Sequence, residues 1–419
     1  MVISEAARNL RPRCQRKFNT LISNALERCA AGRVASPVAA ARFRATLQAL
    51  GRVARTLLPP ESPMPLSRHL TLCMLGALTT LACVQETGDP LPELEDQSLP
   101  TSARFQAVSV VDDQIVWIAG VEGAVARSLD GGTHWERVSV PGADSLQFRD
   151  VHAVSGSTAY LLSAGPGERS RIYRTTDGGE SWSLQFVNDI PDAFFDCLAF
   201  WDATSGIAFS DAVDGAFVII QTADGTAWQR IPPTDLPPAA TGEGGFAASG
   251  TCVTTVDDSS AWIGTGNASP TRVLVTHDRG RTWHAYATPI ASGEAAGITS
   301  VAVWTADTVI VVGGAIGEPE SVTDRVARST DGGKTWSRGG VPPFPGAAYG
   351  AAYVRASDPP ALVAVGPGGA AASFDHGASW ALLDSADYWG LGVAGTSVGW
   401  LVGPGGRVTK LSLPTAQSR

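Results

Sequence analysis

Asp150 and Asp196 are the two carboxylates of this 419-residue chain whose positions invite a chemical reading. Each opens a short apolar run, in "FRDVHAV" and "FFDCLAF". Two acids flanking one bond, about 5–9.5 Å apart, would suit hydrolysis of a glycoside. Loops add Asp211 and Asp214 in "SDAVDG" and Glu243 in "GEGGF", and with Arg149, Tyr349 and Trp389 these groups could line a polar binding pocket. Gln106, Ser249, Thr251 and Thr299 stand at corresponding places in other apolar runs. The competing reading is support, with acids and arginines at strand starts pairing and satisfying loop N–H groups. Binding and support remain open alternatives, and catalysis has the weaker claim.

Other chemistries find little footing. No Gly-x-Gly-x-x-Gly stands between a strand and a helix, "GTGNAS" lacking the third glycine, and there is no phosphate-binding loop. His134, His277, His284 and His376 sit in or beside a repeated turn motif and His69 in the signal, leaving His152 as the lone histidine near an inner strand, a packing residue by expectation. No cofactor and no metal site is expected.

A nine-residue pattern explains how such residues could be positioned. "RSLDGGTHW", "RTTDGGESW", "VTHDRGRTW", "RSTDGGKTW" and "ASFDHGASW" share Ser/Thr, Asp, Gly and Trp at fixed offsets, and "QTADGTAW" is a copy one residue short. The opening Ser/Thr residues lie at 128, 175, 222, 276, 329 and 373, at intervals of 47, 47, 54, 53 and 44. That is the length of one four-stranded propeller blade. Within each period an apolar strand is followed by a second ending at glycine ("VWIAG", "VIVVGG"), a third runs into the Asp motif, and a fourth leaves from its Trp. After Trp380 the chain offers three further strands and no fourth. An N-terminal strand just before Phe105 would complete that sheet and close the ring. The reading is therefore all-β, a seven-bladed β-propeller of four-stranded blades, with the last blade closed by the N-terminal strand.

The repeated stretches resemble the Asp-box, or BNR repeat. In such a turn the aspartate accepts backbone N–H bonds, the glycines take positive φ, and the Trp packs over the sheet. Asp130, Asp177, Asp224, Asp278, Asp331 and Asp375, with Trp135, Trp182, Trp228, Trp283, Trp336 and Trp380, are accordingly structural. Residues 100–413 as a whole resemble exported bacterial propellers related to photosystem II stability/assembly factors. "FFDCLAFWDATSGIAFSDAVDG", "GEGGFAASGT" and "GWLVGPGGRVTKL" carry the likeness. It implies a scaffold, although relatives have been labelled oxidoreductase or glycosyl hydrolase. The Asp-box also occurs in sialidases, but the Arg-Ile-Pro expected ahead of a sialidase's first box stands here at Arg230–Pro232, after the third.

The chain divides by charge. Residues 1–63 hold eleven of the 31 Lys/Arg and three of the 40 acids, so the rest carries 20 basic against 37 acidic side chains. An acidic body of this kind argues against nucleic-acid binding. Residues 1–63 are read as outside the fold, either an early start codon or an Arg-rich targeting segment. Residues 64–82 read as a signal peptide with an apolar run at Leu70–Leu81. "TLAC" resembles a lipoprotein box that would lipidate Cys83, with residues 83–99 as an acidic tether and 414–419 as a tail. Cys197 and Cys252 are expected as two separate buried thiols, an exported compartment permitting a bridge between them.

These residues describe a monomeric, exported, lipid-anchored binding or assembly scaffold of the bacterial cell envelope. Its ligand would be an unidentified protein or carbohydrate, with the membrane reached only through the lipid. A glycoside hydrolase using Asp150 and Asp196 is the alternative.

Overall fold

The computed structural model describes residues 91–355, 360–394 and 397–413. The expectations placed on residues 1–63, on the 64–82 signal, on Cys83 and on the 414–419 tail lie outside the described residues. Among the described residues the strands form seven antiparallel sheets of four. The inner strands of blades 1 to 7 are Phe105–Val110, Phe148–Ala153, Phe195–Phe200, Val253–Val256, Ala296–Val303, Gly350–Val354 and Gly390–Val393. Blades 1 to 6 follow chain order from the inner strand outward, whereas blade 7 takes its outer strand, Glu93–Asp96, from the N-terminal side.

That closing strand pairs Glu93 with Ser412 and Asp96 with Thr409. It lies inside the stretch 83–99 that the sequence reading assigned to a tether. "ELED" has no apolar alternation because it is an exposed outer edge, and its acids discourage further strand addition. Two more contacts seal the ring: Trp400 donates to Gln97 Oε1 at 3.0 Å and Lys410 Nζ to the Gly131 carbonyl at 2.9 Å.

The core lies between blades. Second strands such as Val116–Gly120 and Ser260–Gly264 are buried at every position because both faces of each sheet meet a neighbour. One apolar cluster joins Trp117 of blade 1 to Phe148 and Leu161 of blade 2, and another joins Phe209 and Ile219 of blade 3 to Ile263 and Leu274 of blade 4. Each fully buried Leu, Ile or Phe contributes about 1.5–3 kcal/mol relative to exposure. Buried indoles also bond across blades, Trp117 to the Ser155 carbonyl at 3.2 Å and Trp262 to the Gly332 carbonyl at 2.9 Å.

The Asp motifs are self-contained turns. Ser329 Oγ donates to Asp331 Oδ1 at 2.8 Å and accepts the Gly333 N–H at 2.8 Å. Asp331 Oδ1 also accepts the Thr335 N–H at 2.9 Å, and Oδ2 the Thr335 hydroxyl at 2.6 Å. Gly332 and Gly333 have φ of 77° and 93°, which only glycine adopts without strain. Asp177, Asp278 and Asp375 repeat the arrangement, with Ser181, Thr282 and Ser379 in the role of Thr335. Asp130 uses His134 there. In the short copy the Gly225 N–H reaches Thr222 Oγ1 one residue early, and Thr226 and Ala227 bond Asp224.

Cys197 and Cys252 form a disulfide, contrary to the expectation of two separate thiols. They occupy corresponding places at the starts of the inner strands of adjacent blades, which brings their Cα atoms to 5.9 Å.

Candidate functional site

The inner strands of blades 1, 2, 3 and 5 begin alike. Each has a register shift, at Phe105/Ala107, Phe148/Asp150, Phe195/Cys197 and Ile298/Ser300. The extra residues are Gln106, Arg149, Asp196 and Thr299. A bulge re-aims the side chain it carries, so these polar residues form a tier at one end of the axial channel.

That end is covered. Residues 240–251, between blades 3 and 4, form a strap across the mouth. The Arg149 guanidinium of blade 2 donates to the Ala247 carbonyl at 2.7 Å, and Ser249 Oγ donates to the Tyr349 carbonyl of blade 6 at 2.7 Å. A segment touching blades 2 and 6 of a seven-membered ring must cross the end of its axis. Phe246 and Ala248 pack with Ala347, Tyr349, Ile316 and Trp389. Gly244 exchanges backbone hydrogen bonds with Gly266, at 3.1 and 2.8 Å.

Beneath the strap lie the acids named from sequence. Asp150 is buried, and its Oδ2 accepts the Leu198 N–H at 2.7 Å. A Cβ on Gly250 would come within 2.5 Å of its other oxygen. Burial pushes the Asp150 carboxyl well above the usual range, outweighing the amides of Leu198 and Val151. Asp196 is buried too, and among the described residues its Oδ2 has no hydrogen-bond partner. Desolvation, with the nearby Asp211 charge second, raises its carboxyl well above the ordinary value. Asp211 accepts the Gly245 N–H at 2.9 Å and is pushed up to about 6 by burial.

Glu243 and Asp214 have other places. Glu243 is fully buried and committed to an ion pair with Arg272. It also accepts from Thr265 Oγ1 at 2.7 Å and the Ala240 N–H at 2.9 Å. Asp214 is at an exposed hairpin tip, where Asp214 and Gly215 take φ of 53° and 78°.

Beside the strap, Trp389 meets Tyr349 edge-on at 5.1 Å between ring centres. The Arg104 guanidinium lies 4.1 Å from the Trp389 ring centre and that of Arg149 6.0 Å. Burial lowers Arg149 to about 10, and Arg104 adds to the shift. Arg104 escaped the sequence reading, although it stands directly ahead of the "FQAV" run that marks blade 1.

Below the strap a cavity of about 340 Å³ follows the axis between all seven inner strands. Asp150, His152, Thr251, Tyr353 and Arg355 give it polar lining. His152 stacks on Phe200 at 4.7 Å, and burial lowers it to about 4, so it is a neutral packing side chain at pH 7.

Comparison with known proteins follows this geometry. The BNR/Asp-box repeat family matches at residues 327–338. "Photosystem II assembly lipoprotein Ycf48" of Synechococcus sp. (strain CC9902) is 32% identical over 112 residues, 25% of this chain. The chain spans 31% of the length of that curated relative. Among solved structures, YCF48 bound to a D1 peptide superposes with a TM-score of 0.51 at 15% identity, covering 78% of this chain and all of that one. The GH74 xyloglucanase of Xanthomonas campestris gives 0.53 at 14% identity, over 78% of this chain and 55% of that one. The WD40 repeats of RRP9 give 0.54 at 13% identity, over 78% and 99%. Likenesses at such identities concern the fold alone. The chain is a seven-bladed Asp-box propeller that resembles Ycf48.

Proposed function

We propose that this chain is an exported, lipid-anchored, non-enzymatic scaffold that holds a protein partner on the strapped face of its propeller. The observation that carries the reading is the strap itself. It lies over Asp150 and Asp196, the acids a glycoside hydrolase would have to present to substrate, and both are buried under its backbone. What the face offers beside the strap is the partly exposed group of Arg104, Arg149 and Trp389, next to the more buried Tyr349. Tryptophan, tyrosine and arginine are the residues that most often anchor protein contacts.

Three facts support the cellular setting. The Cys197–Cys252 disulfide suits an oxidising compartment. The matched Ycf48 relative is a lipoprotein, and a solved Ycf48 holds a D1 peptide. On this reading Cys83 carries the lipid, and the propeller works as a monomer at the envelope.

A hydrolysis screen of the purified chain against sialosides and neutral and plant-type oligosaccharides tests the non-enzymatic part. No turnover is expected. Turnover abolished by Asp150→Asn or Asp196→Asn would overturn the reading in favour of a hydrolase.

A further inference from the structure

We propose that the strap, residues 240–251, is a proton-responsive lid on the axial channel, seated by buried Asp196 and half-buried Asp211 and loosened when that pair loses its proton. The proposal concerns the strap's own mobility and does not depend on the identity of any partner.

The geometry makes the strap and the pair one unit. Gly245 donates its N–H to Asp211 Oδ1 at 2.9 Å, and a Cβ on Gly244 would overlap that same oxygen. A Cβ on Gly245 would lie 2.7 Å from Asp196 Oδ2, the oxygen with no partner among the described residues. The two glycines therefore place bare backbone on two carboxyl groups, which is why side chains are missing there. Past the pair, Gly250 rests on Asp150, and Gly250 and Thr251 border the axial cavity. A strap that lifts would open that cavity at its covered end.

Charges around the pair decide the sign. The strap's Ala247 amide, then Arg149 of blade 2 and the Gly245 amide, favour the ionised form of Asp196, but less strongly than burial and the Asp211 charge oppose it. Arg104 acts on Arg149 from blade 1, and buried Asp150 lies under the far end of the strap. Glu243 and Arg272 neutralise one another at the near end. Tyr349, on the blade 6 side, is raised by burial and stays neutral. Among the described residues no cation is closely paired with the two adjoining acids of the seated strap.

Linkage then follows. The seated state holds a proton on Asp211 up to about pH 6, whereas a carboxyl released to solvent returns towards its ordinary 3.8. Raising the pH through this window favours the lifted state, on the order of a hundredfold for a two-unit difference. Burial raises the Asp196 carboxyl in the same direction.

Amide hydrogen exchange on the full chain tests this, at pH 4.5 and 7.5, corrected for the intrinsic rate at each pH. Opening at Gly244–Ala248 is expected to increase at least tenfold at pH 7.5, while amides of Val309–Val312 in blade 5 change by less than threefold. The double variant Asp196→Asn/Asp211→Asn should reduce the pH dependence at the strap to below threefold. Strap protection that stays within threefold between the two pH values in the parent overturns the proposal. So does a change shared equally by Val309–Val312, or an undiminished pH dependence in the double variant.

Discussion

Aspartate serves opposite purposes in this molecule, and environment alone separates them. Asp177 and Asp224 are exposed and Asp130 and Asp331 half-buried; all four accept bonds from their own turns and are held at about 2. A carboxyl depressed in the folded state contributes stability that is complete above its unfolded value near 4 and is lost as pH falls through about 2. The melting temperature should therefore fall steadily between pH 4 and pH 2; a flat profile there would contradict the bonding described for the boxes. Asp196 has the reverse sign. Its folded carboxyl is raised, so stability is lost as pH rises above about 4. Asp196→Asn should raise stability at pH 7.5 by about 1 kcal/mol or more, the scale of removing a poorly compensated buried charge. By pH 4 the gain should vanish, as paired thermal melts would show. Among the box hydroxyls, Thr276 is buried and bonds both Asp278 Oδ1 and the Gly280 N–H. Thr276→Ala should cost about 1–2 kcal/mol in denaturant unfolding.

At the scale of elements, the blades were legible and their connections were not. Six boxes at blade spacing specify the turn between third and fourth strands, and from there the other strands follow by alternation and glycine. The strap was visible only as a long interval of 54 residues and a run of glycines. Its partners, Arg149, Asp211 and Tyr349, are remote in sequence, and no local pattern encodes them. The closing strand was misplaced for a related reason, since an acidic outer edge has no buried face to leave a periodicity. The disulfide could have been found by aligning the inner strands, which puts Cys197 and Cys252 in register on adjacent blades. It spans 55 residues and ties the strap's segment to blade 3. Replacing both cysteines by serine should cost about 2–4 kcal/mol, read as a lower unfolding midpoint. An unchanged midpoint would mean that the bridge constrains nothing.

For the molecule as a whole, closure by Glu93–Asp96 converts a row of sheets into a ring. Without that strand, Val408–Ser412 would present an open edge. A chain beginning at Ser98 should melt at lower temperature and self-associate in size-exclusion chromatography, where the full chain is expected to run as a monomer. The ring then sets the function. Four bulged strand starts place polar residues at one end, the strap crosses the channel mouth there, and on our proposal the aromatic and arginine side chains beside it meet a partner. The most direct measurement is site-specific photo-crosslinking in the native envelope, with the photoreactive residue at Trp389 and, as a control, at Leu184 on the outer strand of blade 2. A discrete protein adduct from position 389 and none from position 184 is the expected result. No adduct from position 389, or the same adducts from both positions, would contradict the account.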